Sequence, residues 1–173
     1  MSIRPTTDRV KESVFGILGK QWEGVRGLDL FSGTGNLGLE AISRGAEHVF
    51  FVEQSKSALI VLRKNISLCG FESCANVLAV SVPRGLAYLG RRGECFHVIF
   101  ADPPYDKGWV RRTINHILSH EVLSRDGIIV IEHSPNESLH ETQEGLTTLR
   151  QEVYGDTSVS FLGFTIDDGE RRL

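Results

Sequence analysis

Asp102-Pro103-Pro104-Tyr105 is the segment with the most specific chemistry in this sequence. Two consecutive prolines fix φ twice and supply no N–H donors, and the residue before a proline is pushed into an extended conformation. The segment is therefore a rigid lip whose carbonyls stay free to accept, with the Asp102 carboxylate at its root. An exocyclic amine on a nucleic-acid base is a poor nucleophile, because its lone pair is delocalised into the ring. Hydrogen bonds from its N–H groups to Asp102 and to the Pro103 carbonyl would favour a more tetrahedral nitrogen and stabilise the positive charge that develops as a methyl group arrives. In-line transfer from a sulfonium needs mainly positioning, which a rigid lip supplies. Tyr105 offers a ring face on which a flipped-out base could stack. Asp102, or a water beyond it, could take the leftover proton. The plain alternative is a Pro-Pro loop that ends a strand, with Tyr105 packed on the surface.

A second segment, Gly33-Thr34-Gly35-Asn36-Leu37-Gly38, has the spacing of a turn that lets a ligand approach the main chain. Alone it fits a dinucleotide as well as other nucleotide-like ligands. Asp29 lies four residues before the first glycine, where a pyrophosphate has little use for a carboxylate and the ammonium group of S-adenosylmethionine does. Glu53 is placed to accept two ribose hydroxyls, a role that suits an acceptor-only carboxylate. Each has a structural alternative: Asp29 as the cap of a nearby turn, Glu53 as a carboxylate at a helix N-terminus. His133 could accept a proton, although a histidine in that position more often serves structure.

The surrounding pattern predicts the elements that must hold these groups. A first helix is expected over about 7–19, from Val10, Val14, Ile17 and Leu18 at helical spacing after the capping residues Thr6-Thr7-Asp8. Apolar strands are expected at 28–31, 49–52, 77–80, 96–101 and 128–132. Helices are expected at 36–43, ended by Gly45, after Ser55, and over 109–123; residues 83–90 read as a short helix at best. Segments 147–154 and 157–164 read as a hairpin turning at Gly155-Asp156. Continuous apolar strands alternating with helices define an α/β fold, a doubly wound, mostly parallel seven-stranded sheet of Rossmann-like type. The closing C-terminal antiparallel hairpin would add an antiparallel strand at one edge. Ligands in such sheets bind beyond the carboxyl ends of the strands, where Asp29, Glu53, Asp102 and Glu132 would converge.

The 173 residues read as a single domain: an N-terminal helix and site-facing loop over 1–20, a core over 21–165 and a polar tail over 166–173. A net charge of −3 argues against non-specific coating of nucleic acid, which needs a broad basic surface. The three cysteines show no metal-ligand spacing, so no metal is expected and free thiols in a reducing compartment are. No run approaches the roughly 18 apolar residues needed to span a bilayer, and no signal sequence is evident. A cytoplasmic protein without membrane association is the expectation.

The two motifs together resemble the class I S-adenosylmethionine-dependent methyltransferases. Arg4-Pro5-Thr6-Thr7-Asp8-Arg9-Val10-Lys11-Glu12, the stretch from Leu28 to Ala41, Ser43-Arg44-Gly45-Ala46, Phe51-Val52-Glu53 and Asp102-Pro103-Pro104-Tyr105 narrow this to a resemblance to the RsmD family, over residues 4 to about 165. The resemblance implies methylation of N2 of a guanine in small-subunit (16S) ribosomal RNA, with S-adenosylmethionine as cofactor. It also implies a ribosomal RNA partner, either free or within an assembling small subunit. It places Asp29, Phe31, Gly33, Gly35, Glu53, Ser81 and Asp102 at the cofactor and Asp102 to Tyr105 around the guanine. It places Arg4, Thr6, Thr7 and Arg9 at the border of active site and RNA. Lys107, Arg111 and Arg112, just after the tetrapeptide, are candidates for phosphate contact.

Two features depart from the family. Only Met1-Ser2-Ile3 precede the Arg4-Pro5 stretch where members carry a longer basic segment; either part of the RNA-binding surface is missing or the sequence begins late. No acidic residue follows the third strand, so the adenine contact falls to Ser81 or to a backbone group. The competing readings are a DNA adenine-N6 methyltransferase, which shares the Asp-Pro-Pro-Tyr lip, a dehydrogenase, which shares the glycine spacing, and a non-catalytic RNA-binding or assembly factor on the same fold.

Overall fold

The computed structural model describes residues 8–105, 107–137, 139 and 145–165. The expected contacts of Arg4, Thr6 and Thr7, and the tail at 166–173, lie outside the described residues.

The elements in chain order are α1 (Asp8–Leu18), β1 (Arg26–Leu30), α2 (Asn36–Ser43), β2 (His48–Val52), α3 (Lys56–Cys69), β3 (Ala75–Leu78), α4 (Val82–Arg91), β4 (Phe96–Ala101), α5 (Trp109–Ser119), β5 (Leu123–His133), β6 (Leu146–Tyr154) and β7 (Thr157–Phe164). The strands form one sheet in the order β3-β2-β1-β4-β5-β7-β6. The first five are parallel, and β7 runs antiparallel to both β5 and β6. The C-terminal antiparallel hairpin thus closes one edge of the sheet, as expected. β7 inserts between β5 and β6, and β6 forms the edge.

Period-two alternation sends the strand residues to two cores. Leu28, Leu30, Phe50, Val52, Ile99, Ile129 and Ile131 pack with α4 and α5 on one face. Val49, Phe51, Phe100, Val130 and Phe161 pack with α1, α2 and α3 on the other. Asp29 falls between two residues of the first set and so points to the α2 face. That alternation, and no local propensity, decides where its carboxylate goes.

Several boundaries differ from the sequence expectation for physical reasons. Phe31 is not strand but turn, with φ 55. A left-handed conformation costs a non-glycine residue roughly 1–2 kcal/mol. α4 is a full helix of ten residues, started by a proline in its first turn. Its Gly85 resembles a helix breaker in sequence, but a Cβ there would lie 2.8 Å from Val52 Cγ1, so the glycine permits close packing of α4 on β2. α5 stops at Ser119 because the chain passes through His120 to Glu121 at φ 53, and the apolar residues beyond it start β5. β5 is longer than 128–132, since it pairs with β4 already at Leu123 before a register shift. β3 begins two residues earlier than expected and ends at Leu78.

Candidate active site

β1 lies between β2 and β4, and the chain leaves these neighbours in opposite directions. That reversal opens a crevice at the carboxyl ends of the strands. A cleft of about 1030 Å³ occupies it, lined among others by Phe31, Ser32, Gly33, Glu53, Asp102, Pro103, Pro104, Tyr105 and Glu132. A second cavity of about 890 Å³ lies at the other end of the sheet, by the start of β5 and the end of β7, away from these groups.

The glycine turn is fixed from three sides. Ser32 N–H donates to Val52 O at 3.2 Å, and Gly35 N–H to Ser32 O at 2.8 Å. Asn65, from α3, donates to Thr34 O at 3.1 Å. Lys11, from α1, donates to Asn36 Oδ1 at 3.2 Å. The three glycines do different jobs. A Cβ on Gly35 would stand 2.4 Å from Leu62 Cδ1, and one on Gly38 would stand 2.3 Å from Phe51 Cε1; these two let α2 pack closely. A Cβ on Gly33, at φ 55, would meet nothing within 4 Å. Gly33 therefore presents bare main chain to the cleft.

Asp29 sits behind this turn, not on the cleft wall. It is 4% exposed and its Oδ2 accepts the Gly38 N–H at 2.9 Å. Burial raises its carboxyl to about 8, against the lowering effect of the Gly38 hydrogen bond and with additional push from Asp102 and Glu53. Glu53 is on the wall and is already used three times: Oε2 accepts from Gly33 N–H at 2.8 Å, and Oε1 accepts from Gln54 N–H at 2.8 Å and Ser55 N–H at 2.7 Å. A carboxylate has about four acceptor sites, so about one is left. The expected pair of ribose hydroxyls would need one of these backbone bonds to give way.

The lip follows β4 directly. Pro103 is buried and Pro104 is exposed. Burial raises the Asp102 carboxyl to about 7, with a smaller push from the neighbouring Glu132 charge. The Tyr105 hydroxyl donates to Glu132 Oε1 at 2.7 Å and lies 3.1 Å from Thr157 Oγ1. Burial, first, then the surrounding acids hold the phenol above the usual tyrosine range. The lip thus brings together Asp102, Pro103, Pro104 and Tyr105 as expected. It adds Thr157, which nothing in the sequence singled out, because a threonine opening a β-strand is unremarkable.

The remaining expected residues are placed as follows. Phe31 lines the cleft and meets Trp109 edge-on at 6.0 Å. Ser81 precedes α4 beyond β3 and is not among the residues lining the cleft. Arg9 is exposed on α1; Lys107, Arg111 and Arg112 are exposed at the start of α5, where the Arg112 guanidinium lies 5.8 Å from the Trp109 ring centre. His133 is fully buried. One ring nitrogen is 2.8 Å from Ser134 O and the other 2.8 Å from Ser160 Oγ. The carbonyl can only accept, so Nδ1 carries the hydrogen, and His133 serves structure.

The character of the cleft separates the candidate ligands. Its lining contains Asp8, Glu40, Glu53, Asp102 and Glu132 against a single cation among the described residues, Lys11. A pyrophosphate would be repelled by such a wall. A ligand with a sulfonium and an ammonium group is favoured by it, and would offset the repulsion that adds to burial in raising Asp29 and Asp102. Ser32 Oγ, buried with no partner, offers an additional hydrogen bond. The donor set fits S-adenosylmethionine. Among the described residues no group of three or more His, Cys, Asp or Glu could hold a metal, and no helix is long and apolar enough to cross a membrane.

Sheet order, open glycine turn, acid wall and proline lip define the class of S-adenosylmethionine-dependent methyltransferases. Comparison with known proteins agrees. A family model described as "Conserved hypothetical protein 95" matches residues 1–163. The "Putative rRNA methyltransferase YlbH" of Bacillus subtilis is 40% identical over 159 residues, which cover 92% of this chain and 86% of that protein. The "Ribosomal RNA small subunit methyltransferase D" of Escherichia coli is 30% identical over 156 residues, 90% of this chain and 77% of that one. A solved Escherichia coli structure, "Putative methyltransferase yhhF", superposes with a TM-score of 0.83 at 28% identity, covering 94% of this chain and 88% of the other. The chain belongs to this family, the RsmD family of methyltransferases.

Proposed function

We propose that this protein methylates the exocyclic N2 amine of a guanine in small-subunit ribosomal RNA, with S-adenosylmethionine as donor. The observation that carries the reading is the Asp102 carboxylate at the root of a proline lip, opening into the same acidic cleft as the bare main chain of Gly33. The guanine and the ribosomal RNA are inferred from the RsmD relatives, one of which is named as a small-subunit ribosomal RNA methyltransferase.

When bound, the cofactor supplies an electrophilic methyl group on a sulfonium. The protein does the rest by placement. The Gly33 turn receives the cofactor against backbone, Glu53 offers its remaining acceptor site to a ribose hydroxyl, and Asp29 fixes the turn from behind. Ionised Asp102 and the Pro103 carbonyl would accept the two N–H groups of the target amine and hold its nitrogen with the lone pair free for the methyl donor. Tyr105 stacks on the base, which has left its own stack to reach the lip. The proton released from nitrogen passes to Asp102 or to a water beside it.

Arg9, Lys107, Arg111 and Arg112 would meet RNA phosphates outside the cleft, with Arg4, Thr6 and Thr7 at its border. Their number is modest for a chain of net charge −3, which favours an assembling small subunit over naked RNA as substrate, the ribosomal proteins assisting docking. The protein would then act in the cytoplasm.

The cofactor half is tested by thermal unfolding with ligands. S-adenosylhomocysteine raises the midpoint by binding only the native state, and NAD does not. A shift with NAD alone overturns the assignment.

A further inference from the structure

Stacking a base requires a ring face and no hydroxyl, and phenylalanine would serve. Yet the Tyr105 hydroxyl is engaged twice, by Glu132 Oε1 at 2.7 Å and by Thr157 Oγ1 at 3.1 Å. A phenol has one proton. The carboxylate takes it, so Thr157 donates its own hydroxyl proton to the phenolic oxygen. The partners come from two further strands: Glu132 near the end of β5 and Thr157, 7% exposed, at the start of β7. The turn end of the β6–β7 hairpin, where Tyr154 pairs with Thr157, is itself tied down, because Tyr154 shares a hydrogen bond with Ser13 of α1. β4 and β5 are in register at Ala101 and Ile131, so Asp102 and Glu132 are the next residues out on neighbouring strands.

We propose that Glu132 and Thr157 are positioning residues of the base seat: they clamp the Tyr105 hydroxyl from both sides, setting the tilt and depth of the ring, and Glu132 at the same time sets the charge that Asp102 faces. This rests on the reading of the lip as the seat of a target base. The clamp makes the stacking surface part of the rigid sheet. Its second effect is electrostatic. Glu132 shares part of its charge with the phenol and directs the rest at Asp102, whose proton affinity it raises. Among the described residues, the other ionisable groups about Asp102 are Asp29 from β1, Glu53 just after β2, Tyr105 itself and, on the α1 and α2 side of the cleft, Asp8, Lys11 and Glu40. His133, next to Glu132, is engaged with Ser134 and Ser160.

Two readouts test the proposal, and only the second depends on the reaction. Protein labelled with 3-fluorotyrosine has three signals, since the chain has three tyrosines, and the Tyr105 signal is the one lost in Y105F. In a pH titration by fluorine NMR, Tyr105 ionises well above free 3-fluorotyrosine. E132Q brings it down, because a negative neighbour is removed; T157V moves it up, because a hydrogen bond to the phenolate is lost. Tyr105 titrating like free 3-fluorotyrosine, unmoved by either substitution, overturns the clamp. In methyl transfer to ribosomal RNA, Y105F and T157V each raise KM for RNA about fivefold, the factor expected from one hydrogen bond, with S-adenosylhomocysteine affinity unchanged. E132Q also moves the acid limb of the rate profile to lower pH, which a merely structural glutamate would not do. An unmoved limb, or KM values equal to wild type, contradicts the positioning role. A wild-type protein that transfers no methyl to RNA contradicts the reading of the lip, while the titration still judges the clamp.

Discussion

Asp29 Oδ2 accepts the Gly38 N–H at 2.9 Å, tying the middle of β1 to the first turn of α2 across the base of the glycine turn. The contact is possible only because residue 38 has no side chain. A Cβ there would stand 3.0 Å from that same oxygen and 2.3 Å from Phe51 Cε1. The loop that meets the cofactor is therefore shaped from behind by a buried carboxylate and a tightly packed glycine.

The two ends of the glycine turn should respond differently to one added methyl group. Gly38→Ala overpacks the junction of α2 and β2 and costs about 1–3 kcal/mol of stability. Gly33→Ala meets no atom but keeps a left-handed φ, so it costs only ~1–2 kcal/mol while placing its methyl in the cleft. Thermal unfolding and S-adenosylhomocysteine titration separate the two: Gly38→Ala chiefly lowers the midpoint, and Gly33→Ala chiefly weakens the ligand. Equal effects on both measurements for both variants would contradict this division of labour.

The buried carboxyls predict a pH dependence of stability. Asp29 and Asp102 have native values raised to about 8 and about 7, well above an ordinary aspartate. Between the ordinary value and the raised one, the native state holds protons that the unfolded state has lost, so stability falls as pH rises. The ligand-free protein should lose midpoint temperature steadily from about pH 4 to about pH 8. Asp29→Asn, which still accepts the Gly38 N–H, should flatten that decline. A wild-type curve that rises over the interval would refute the assignment.

Asp102 must be ionised to stabilise the charge developing on the amine and to take its proton, so transfer should increase through about pH 7. Asp102→Asn keeps the shape of the lip and its cofactor affinity but lacks the charge. Removing one preorganised electrostatic contact of this kind lowers kcat roughly 10²–10³-fold. Single-turnover rates against pH measure both effects. A variant with wild-type turnover would exclude the carboxylate from the reaction.

His133 offers a control outside the cleft. His133→Ala removes two buried hydrogen bonds and leaves the Ser160 hydroxyl and the Ser134 carbonyl without their ring partner. The Ser134 carbonyl keeps the Glu137 N–H at 3.0 Å, so the Ser160 hydroxyl is the group left unsatisfied, at a cost of ~1–3 kcal/mol that urea unfolding measures. The pH–rate profile of the protein that remains folded keeps its wild-type midpoint. A displaced midpoint would make this histidine a proton acceptor after all.

Much of this was legible in the sequence, and what was not depended on which backbone groups and strands meet each side chain. The parallel core could be read because β1, β2, β4 and β5 are continuous apolar runs, and the lip because two prolines after a strand have few conformations. Asp29 was read as a ligand to the cofactor's ammonium, whereas β-strand alternation turns it to the α2 face. Glu53 was read as free for a ribose diol, whereas the backbone N–H groups of Gly33, Gln54 and Ser55 take most of its acceptor capacity. Thr157 carries no motif; only the insertion of β7 beside β5 brings it to Tyr105. For Thr157, and for the Gly33 bond to Glu53, the missing information was a long-range pairing, which spacing along the chain does not encode; the bonds from Gln54 and Ser55 and the alternation that turns Asp29 are local.

The central claim is best tested by incubating the protein with methyl-labelled S-adenosylmethionine and, separately, unmodified small ribosomal subunits, free ribosomal RNA and duplex DNA, followed by mass spectrometry of the released nucleosides. The account predicts label in N2-methylguanosine from the ribosomal RNA, strongest with the subunit. Label in N6-methyladenine from the DNA, or in no nucleoside at all, would contradict it.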